Sequence, residues 1–225
     1  MERNRQKLEW YTNKLPRATN RALDFLSKKR WLKQSHWYLA GGTSLALQVG
    51  HRRSVDLDFF TPDSDFSTGK LVAHFSKKDW ETTIVHEGTV YGKLLGAKVS
   101  FIAYPFFKRA EDPLWYGMVR VLSLRDIAVM KIIAISQRGK KRDFVDLYWY
   151  LHNIEPLVDI LRKVHKQYPT VTHDYHHIMK SLMYFADAEN DPMPELYFKV
   201  SWKTIKTYFR REIPKITRQI LGLKP

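Results

Sequence analysis

Cysteine is absent from this chain of 225 residues. Its absence excludes disulfide bonds, thiolate zinc sites and a cysteine nucleophile. Apolar runs long enough to span a bilayer are also missing, and the first residues, Met-Glu-Arg-Asn-Arg-Gln-Lys, lack the apolar segment of a signal peptide. From these absences we expect a cytoplasmic protein that does not associate with membranes.

The composition is that of a globular protein. Hydrophobic residues make up 44% of the chain and aromatic residues 14%, which is far from the composition of a disordered protein. The length suits one large domain or two small ones. Apolar periodicity predicts helices in 5–33 and 68–79, short strands in 37–39 and 55–60, and three strands in 82–104.

Positive charge is concentrated at the two ends of the chain. Residues 1–35 hold ten Lys and Arg against three acids, and residues 196–225 hold eight against one, while the net charge of the whole chain is +15. Basic residues interleaved with aromatic ones such as Trp31, Trp202 and Phe209 suit a phosphate backbone and unstacked bases, so we expect RNA as a partner. Solvated helix faces are the plainer alternative.

The most informative segment begins with the turn Gly41-Gly42-Thr43 and ends with the triplet Asp56-Leu57-Asp58. We predict that Thr43 caps a helix through position 49, and that a strand over 55–60 follows a basic loop. Side chains alternate along a strand, so Asp56 and Asp58 should share one face.

This pattern predicts a site for a metal ion and a phosphate. Asp56 and Asp58 could hold one Mg²⁺ between them, because magnesium prefers carboxylates, phosphate oxygens and water. The turn at Gly41 and Gly42 would present free backbone N–H groups at a helix start, which suit a phosphate. A plain tight turn followed by a solvated strand is the alternative.

The segment resembles the nucleotidyltransferase superfamily, whose motif is a Gly-Gly or Gly-Ser turn followed by Asp-x-Asp. Within this superfamily, the segment is similar to the AbiEii/AbiGii toxin family. The similar residues are Ala-Gly-Gly-Thr-x-Leu-Ala-Leu-Gln-x-Gly-His-Arg-x-Ser-x-Asp-Leu-Asp-Phe-Phe. The similarity resumes at 131–149 and 191–202 and covers about residues 35–205. It implies an α/β (α+β) fold with a nucleotidyltransferase-like mixed sheet core and helices, followed by a helical C-terminal part.

The resemblance also implies a function. It points to a Mg²⁺-dependent enzyme that moves a nucleoside monophosphate from an NTP to an acceptor hydroxyl, with tRNA as one plausible RNA acceptor. The family comprises bacterial toxins and toxin-like proteins, some of them paired with an antitoxin. An acidic antitoxin would be attracted by the positive field of the chain ends.

Position 100 departs from the superfamily pattern. The strand over 98–104 is the one on which nucleotidyltransferases usually carry a third carboxylate, and this chain has Ser100 there. A serine hydroxyl is a poor base and a poor metal ligand at neutral pH. Either another acid supplies that function, or the chain has lost transferase activity.

A second motif contains the acids that could replace it. A predicted helix over 124–137 carries Lys131 among apolar residues, and the next helix begins with Arg142-Asp143 and continues to Asp146. Arg142 and Asp146 could simply form an intrahelical salt bridge. The resemblance instead implies that Lys131 contacts the triphosphate. It further implies that Arg142 and Asp143 order the site and that Asp146 assists as base or metal-adjacent acid.

We combine these expectations in one hypothesis. The chain divides into a basic helical N-terminal segment (1–34), a nucleotidyltransferase core (35–122) and a helical C-terminal region (123–225). The predicted metal ligands are Asp56 and Asp58, the catalytic residues are these two with Lys131, Asp143 and Asp146, and the nucleotide-binding residues are Gly41, Gly42, Thr43, Arg52, Arg53 and Arg142. A weakened nucleotide- or RNA-binding module and an enzyme that modifies a protein hydroxyl remain as alternatives.

Overall fold

A computed structural model of the chain describes residues 9–220. The first eight and the last five residues lie outside this range, and with them parts of both basic ends. In the described part, no helix is long and apolar enough to cross a membrane. The domain boundaries at 34 and 122 stay a prediction. Leu23 and Leu26 of the N-terminal segment lie in the same buried cluster as Leu57 and Phe59 of the predicted core.

All strands lie in the first part of the chain among helices and turns, and the part after residue 123 is helical. In chain order they are a 3-10 turn (Thr12–Lys14), α1 (Arg17–Ser27), α2 (Arg30–Gln34), β1 (Tyr38–Ala40), α3 (Gly41–Val49), β2 (Leu57–Thr61), α4 (Thr68–Val72), β3 (Trp80–His86), β4 (Thr89–Leu94), β5 (Ala97–Ala103), β6 (Leu114–Tyr116), β7 (Val119–Val121), α5 (Leu124–Arg138), α6 (Lys141–Asn153), α7 (Leu157–Gln167), α8 (Tyr175–Ser181), α9 (Ala186–Glu189) and α10 (Trp202–Ile220).

The strands form one mixed sheet in the order β3-β4-β5-β2-β1-β7-β6. Strand β2 is antiparallel to β1 and parallel to β5, and it lies between these two strands. The mixed sheet followed by helices confirms the predicted fold class. Strands β6 and β7, of three residues each, were not predicted, because such short segments carry too little apolar alternation to be seen.

The two faces of the sheet bury different clusters of side chains. Leu57 and Phe59 of β2 pack with Leu23 and Leu26 of α1 on one face. Tyr38 of β1 packs on the other face with the helices that follow position 123. Asp58 lies between Leu57 and Phe59 in the strand, so its side chain points to the face that is covered by α5.

Two predicted elements differ from the structure. Helix α3 begins at Gly41 rather than after Thr43, and no side chain caps it. Thr43 is therefore an interior residue of the first turn, and its expected role as the cap is wrong. Helix α4 covers only Thr68–Val72, because the chain then turns toward the hairpin of β3 and β4 instead of continuing to residue 79.

Candidate active site

A cleft of about 730 Å³ lies between α5 and the face of the sheet that carries Asp58. The glycine-turn and Asp-x-Asp motif and the Lys131-to-Asp146 motif meet there, because α3 and β2 supply one wall and α5 with the start of α6 supplies the other. The lining includes Gly41, Gly42, Thr43, Arg52, Asp56, Asp58, Ser100, Lys131, Arg138 and Arg142. Residues from α5 and α6 thus reach the same space as residues from the glycine turn.

The two carboxylates of the Asp-x-Asp motif lie at the centre of the cleft. Oδ1 of Asp58 accepts a hydrogen bond from the Ser100 hydroxyl at 2.7 Å. Oδ2 of Asp56 lies 3.6 Å from the guanidinium of Arg142, whereas Oδ1 of Asp56 is buried without a hydrogen-bond partner. Burial and the nearby charge of Asp56 raise the pKa of Asp58 above its ordinary value.

This arrangement fits a divalent cation of the magnesium type. A buried carboxylate oxygen without a donor is costly unless a cation or water binds it, and Asp56 carries such an oxygen. The described residues contain no group of three or more His, Cys, Asp or Glu that could enclose a metal ion. Magnesium does not need such a group, because it is usually held by one or two carboxylates together with water and substrate phosphates.

The N-terminus of α3 faces the carboxylate pair. Gly41 has φ +72°, a left-handed conformation that favours glycine, and a Cβ there would lie 3.1 Å from Oδ2 of Asp58. The helix start therefore comes directly against the carboxylate of Asp58, with its first N–H groups uncapped by any side chain. Thr43 Oγ1 lies 2.8 Å from Ser54 Oγ and also contacts the backbone carbonyl of Asp56, which ties the loop before Asp56 to the helix.

Behind this wall, Asp146 is the centre of a buried ion cluster. Its Oδ1 accepts hydrogen bonds from His51 at 2.7 Å and from Arg52 Nε at 2.5 Å, and its Oδ2 accepts from Arg52 at 2.9 Å. Lys131 Nζ lies 2.6 Å from the same Oδ2. Burial acts to raise the pKa of Asp146, but Arg52 and Lys131 outweigh it and hold that pKa well below its ordinary value.

Asp143 extends the cluster toward the cleft. Its Oδ1 lies 2.6 Å from Lys131 Nζ, and its two oxygens accept hydrogen bonds from Arg138 at 3.0 and 3.2 Å. Burial again acts to raise the pKa of Asp143, and Lys131 with Arg138 lowers it below its ordinary value. Asp143 and Asp146 therefore both pair with cationic side chains, which favour the ionised form of each carboxylate.

The predicted site residues fall into three groups. Gly41, Gly42, Thr43, Arg52, Asp56, Asp58, Lys131 and Arg142 line the cleft, as the hypothesis requires. Asp143 and Asp146 lie behind Lys131 and do not line it. Arg53 points away from the cleft and pairs with Glu195 at 3.2 Å. The intrahelical salt bridge of Arg142 with Asp146, which was the plainer alternative, does not form: Arg142 contacts Asp56, and Asp146 binds Arg52.

Several residues of the cleft were missed in the sequence. Arg138 lies one residue past the helix predicted over 124–137, and it lines the cleft and binds Asp143. Lys98 shares a face of β5 with Ser100, and Tyr91 and Lys93 follow on β4, so strand alternation from Ser100 would have found Lys98. Of the aromatic residues expected to meet RNA bases, Phe209 is fully buried, and the half-buried Trp202 packs on Phe144 and Phe185.

Comparison with known proteins agrees with this geometry. The family model of the nucleotidyl transferase AbiEii toxin, type IV TA system, matches residues 24–90 and 96–219. An uncharacterized protein of Aquifex aeolicus (strain VF5) is 35% identical over 186 residues, which are 79% of this chain and 86% of that protein.

Two solved structures have a similar fold. MenT4, a nucleotidyltransferase toxin from Mycobacterium tuberculosis H37Rv, matches with a TM-score of 0.52 and 15% identity over 90% of this chain and 86% of its own. A protein from H. pylori assigned as a nucleotidyltransferase matches with a TM-score of 0.51 and 15% identity over 91% of this chain and 98% of its own.

The mixed sheet, the glycine turn and the carboxylate pair define a nucleotidyltransferase. The chain belongs to the AbiEii nucleotidyltransferase toxin family, whose model matches most of its length. The family and the enzyme class expected from the motifs are thereby confirmed.

Proposed function

We propose that this protein transfers a nucleoside monophosphate from an NTP to a hydroxyl of an RNA acceptor and releases pyrophosphate. In this reaction the acceptor oxygen bonds to the α-phosphorus, and the bond from that phosphorus to the oxygen that bridges it to the β-phosphate breaks. The bridging oxygen and the electron pair leave with pyrophosphate, and the proton of the acceptor hydroxyl passes to water. The observation that carries the proposal is the unpartnered carboxylate oxygen of Asp56 beside Asp58, directly against the helix start at Gly41.

Asp56 and Asp58 would hold the metal. When Mg²⁺ is bound there, it neutralises phosphate charge and polarises the reacting oxygens. The backbone N–H groups at Gly41 and Gly42 would hold the terminal phosphates of the NTP, since a helix start with free N–H groups favours an anion. Arg142, which reaches Asp56, would balance the added negative charge.

Lys131 would contact the triphosphate. An ammonium group has three N–H donors, and two of these are directed to Asp143 and Asp146. The third is left for a phosphate in the cleft, which Lys131 lines. In this proposal Asp143 and Asp146 position Lys131, because every oxygen of Asp146 already receives a donor and its low pKa makes it a poor base.

Arg52 has a positioning role in the same proposal. Its guanidinium binds both oxygens of Asp146, and a Cβ at Gly42 would overlap it. Arg52 would thus pack against Gly42 of the glycine turn and contribute positive potential where the phosphates of the NTP are proposed to bind. Arg53 faces Glu195 at the surface, and nothing in that placement supports a contact with the nucleotide.

The proposal is tested by incubating the protein with each α-³²P-labelled NTP, Mg²⁺ and total cellular RNA and protein. We expect label in the RNA fraction, and its loss in Asp56→Asn/Asp58→Asn. Asp65→Asn is the matched control, because Asp65 is an exposed acid outside the cleft. Label in protein, or no label in any fraction, would refute the RNA transferase.

Ser100 motivates a second candidate, a binding module without turnover. Its hydroxyl occupies the place next to Asp58 where the superfamily usually has a third acid. A module of this kind would bind Mg-NTP with normal affinity while leaving every acceptor unlabelled. Equilibrium binding of a fluorescent NTP, measured beside the labelling assay, separates it from the transferase. An antitoxin partner, which the toxin family implies, would in either case be expected to cover the cleft or the basic ends.

A further inference from the structure

The floor of the cleft continues beyond the carboxylates across three strands. Asp58 of β2 is registered opposite Ser100 of β5, and Ser100 is registered opposite Tyr91 of β4. Residues in register share a face, so the three side chains form a row across the sheet. Neighbouring strands are about 4.8 Å apart, so the Cα atoms of Tyr91 and Asp58, which lie two strands apart, are separated by about 10 Å across the sheet.

The row of Asp58, Ser100 and Tyr91 extends away from the glycine turn, on the other side of β2. The glycine turn that would hold the leaving phosphates follows β1, which flanks β2 on one side, whereas β5 and β4 lie on the other side. In nucleotidyl transfer the attacking and leaving oxygens lie roughly in line with the phosphorus. The acceptor hydroxyl must therefore approach Asp58 from the side of Ser100 and Tyr91.

The side chains on this approach suit a single-stranded nucleic acid. The Tyr91 residue is 40% exposed, and in the part of the chain that the structure describes its ring has no aromatic partner and its hydroxyl no hydrogen bond. Lys93 and Lys98 are registered opposite each other, two residues along the strands from the pair of Tyr91 and Ser100, and Tyr91, Lys93 and Lys98 all line the cleft. Lys93 contacts Glu81 at 3.3 Å, while Lys98 meets no carboxylate among residues 9–220.

We propose that Tyr91 and Lys98 form the acceptor subsite of the cleft, where the unpaired end of an RNA strand lies with one base stacked on Tyr91 and a phosphate at Lys98. This inference rests on the proposed function and specifies its acceptor. An aromatic face next to a lysine is the pairing that binds single strands without a requirement for sequence. The bases of a duplex are stacked on their neighbours, whereas an unpaired base can be splayed out and stacked on an aromatic side chain.

The proposal is tested with three variants and two matched controls. Tyr91→Ala removes the stacking face, Tyr91→Phe retains it, and Lys98→Gln removes the charge. Tyr184→Ala and Lys77→Gln change an exposed tyrosine and an exposed lysine outside the cleft. Binding of a fluorescein-labelled single-stranded RNA 12-mer is measured by anisotropy, and KM for that RNA and for the NTP is measured in the labelling assay.

We expect Tyr91→Ala to weaken RNA binding and raise the RNA KM about tenfold, while Tyr91→Phe stays within about twofold of the wild type. Lys98→Gln should reduce the slope of log affinity against log salt by about 0.7, the value for one phosphate on a single strand. The NTP KM should change by less than about twofold, and both controls should match the wild type.

Three results would overturn the subsite: unchanged RNA affinity in Tyr91→Ala, a rise in the NTP KM in place of the RNA KM, or an equal loss of affinity for a blunt duplex. The binding arm needs no turnover, so it separates the two proposals. If the wild type labels no RNA, the proposed function fails, and a loss of RNA affinity in Tyr91→Ala would still support the subsite.

Discussion

The hydroxyl of Ser100 donates a hydrogen bond of 2.7 Å to Oδ1 of Asp58, across neighbouring parallel strands. A third carboxylate at this position would place two negative charges side by side. The serine instead lowers the pKa of Asp58, opposing the increase that burial and Asp56 produce. Ser100 thus favours the ionised form of the carboxylate that we propose as a metal ligand.

Ser100→Ala should therefore have a mild effect on turnover. We expect kcat to fall by about tenfold or less, since one hydrogen bond to a charged group contributes about 1.5–3 kcal/mol and only part of it is lost in the transition state. Asp58→Asn should reduce kcat by about a thousandfold, because metal catalysis contributes several kcal/mol. Equal losses in the two variants, measured as initial rates, would show that Ser100 contacts the reacting groups.

Arg52→Met should destabilise the fold strongly. It leaves the buried Asp146 with fewer donors, and breaking a buried ion pair costs about 3–5 kcal/mol. Arg53→Met is a matched control, because the neighbouring Arg53 forms an exposed pair worth about 0–1 kcal/mol. Urea denaturation of both variants gives the comparison, and similar midpoints would contradict the buried cluster.

Gly42→Ala should disturb the same cluster from the opposite side. A Cβ at position 42 would overlap the Arg52 guanidinium and lie 3.3 Å from Oδ2 of Asp146. Overpacking of this kind costs about 1–3 kcal/mol, and we expect weaker NTP binding as well because the helix start must shift. A Cβ at Gly69 in α4 would meet only Ser67 Oγ at 4.0 Å, so Gly69→Ala should be neutral or slightly stabilising. Thermal unfolding and NTP titration of the pair test this prediction.

Glu155, which lies outside the cleft, should make a pH-dependent contribution to the free energy of unfolding. Burial acts to raise its pKa, but hydrogen bonds from Lys163 at 2.6 Å and from Tyr150 at 2.6 Å lower it below the ordinary value of 4.5. A lowered carboxyl pKa stabilises the folded state above the unfolded pKa, and this stabilisation is lost as the pH falls through the folded pKa.

The difference in unfolding free energy between wild type and Glu155→Gln should accordingly be about 1.5–3 kcal/mol at pH 7 and should shrink as the pH falls below about 4.5. Glu195→Gln removes an exposed carboxylate and should show a small difference at every pH. Denaturant titrations at pH 7, 5 and 3.5 provide the test. A difference that grew toward low pH would contradict the direction of the shift.

Local patterns were enough to predict the centre of the site. The glycine turn, the spacing to Asp56 and Asp58 and the alternation of β2 are all properties of consecutive residues, so they could be read from the chain. The resemblance added Lys131, which the structure places in the cleft. The superfamily pattern singled out Ser100, but its position opposite Asp58 came from the pairing of β2 with β5, which was not predicted.

The roles of neighbouring basic residues could not be read in this way. Arg52 and Arg53 are adjacent and chemically alike, yet the first is buried against Asp146 and the second is exposed beside Glu195. The difference depends on where α6 crosses the loop, which is decided by packing between residues 94 positions apart. No local pattern contains that information.

The sequence by itself determined the family, the sheet with its carboxylate pair and the glycine turn, because these depend on backbone preferences and side-chain alternation over short distances. Only the tertiary structure decided that Asp143 and Asp146 support Lys131 from behind, and that Tyr91 extends the row from Asp58. Buried acids need cationic partners, and for Asp143 and Asp146 these come from other segments of the chain. The place of Tyr91 depends on the pairing of β4 with β5.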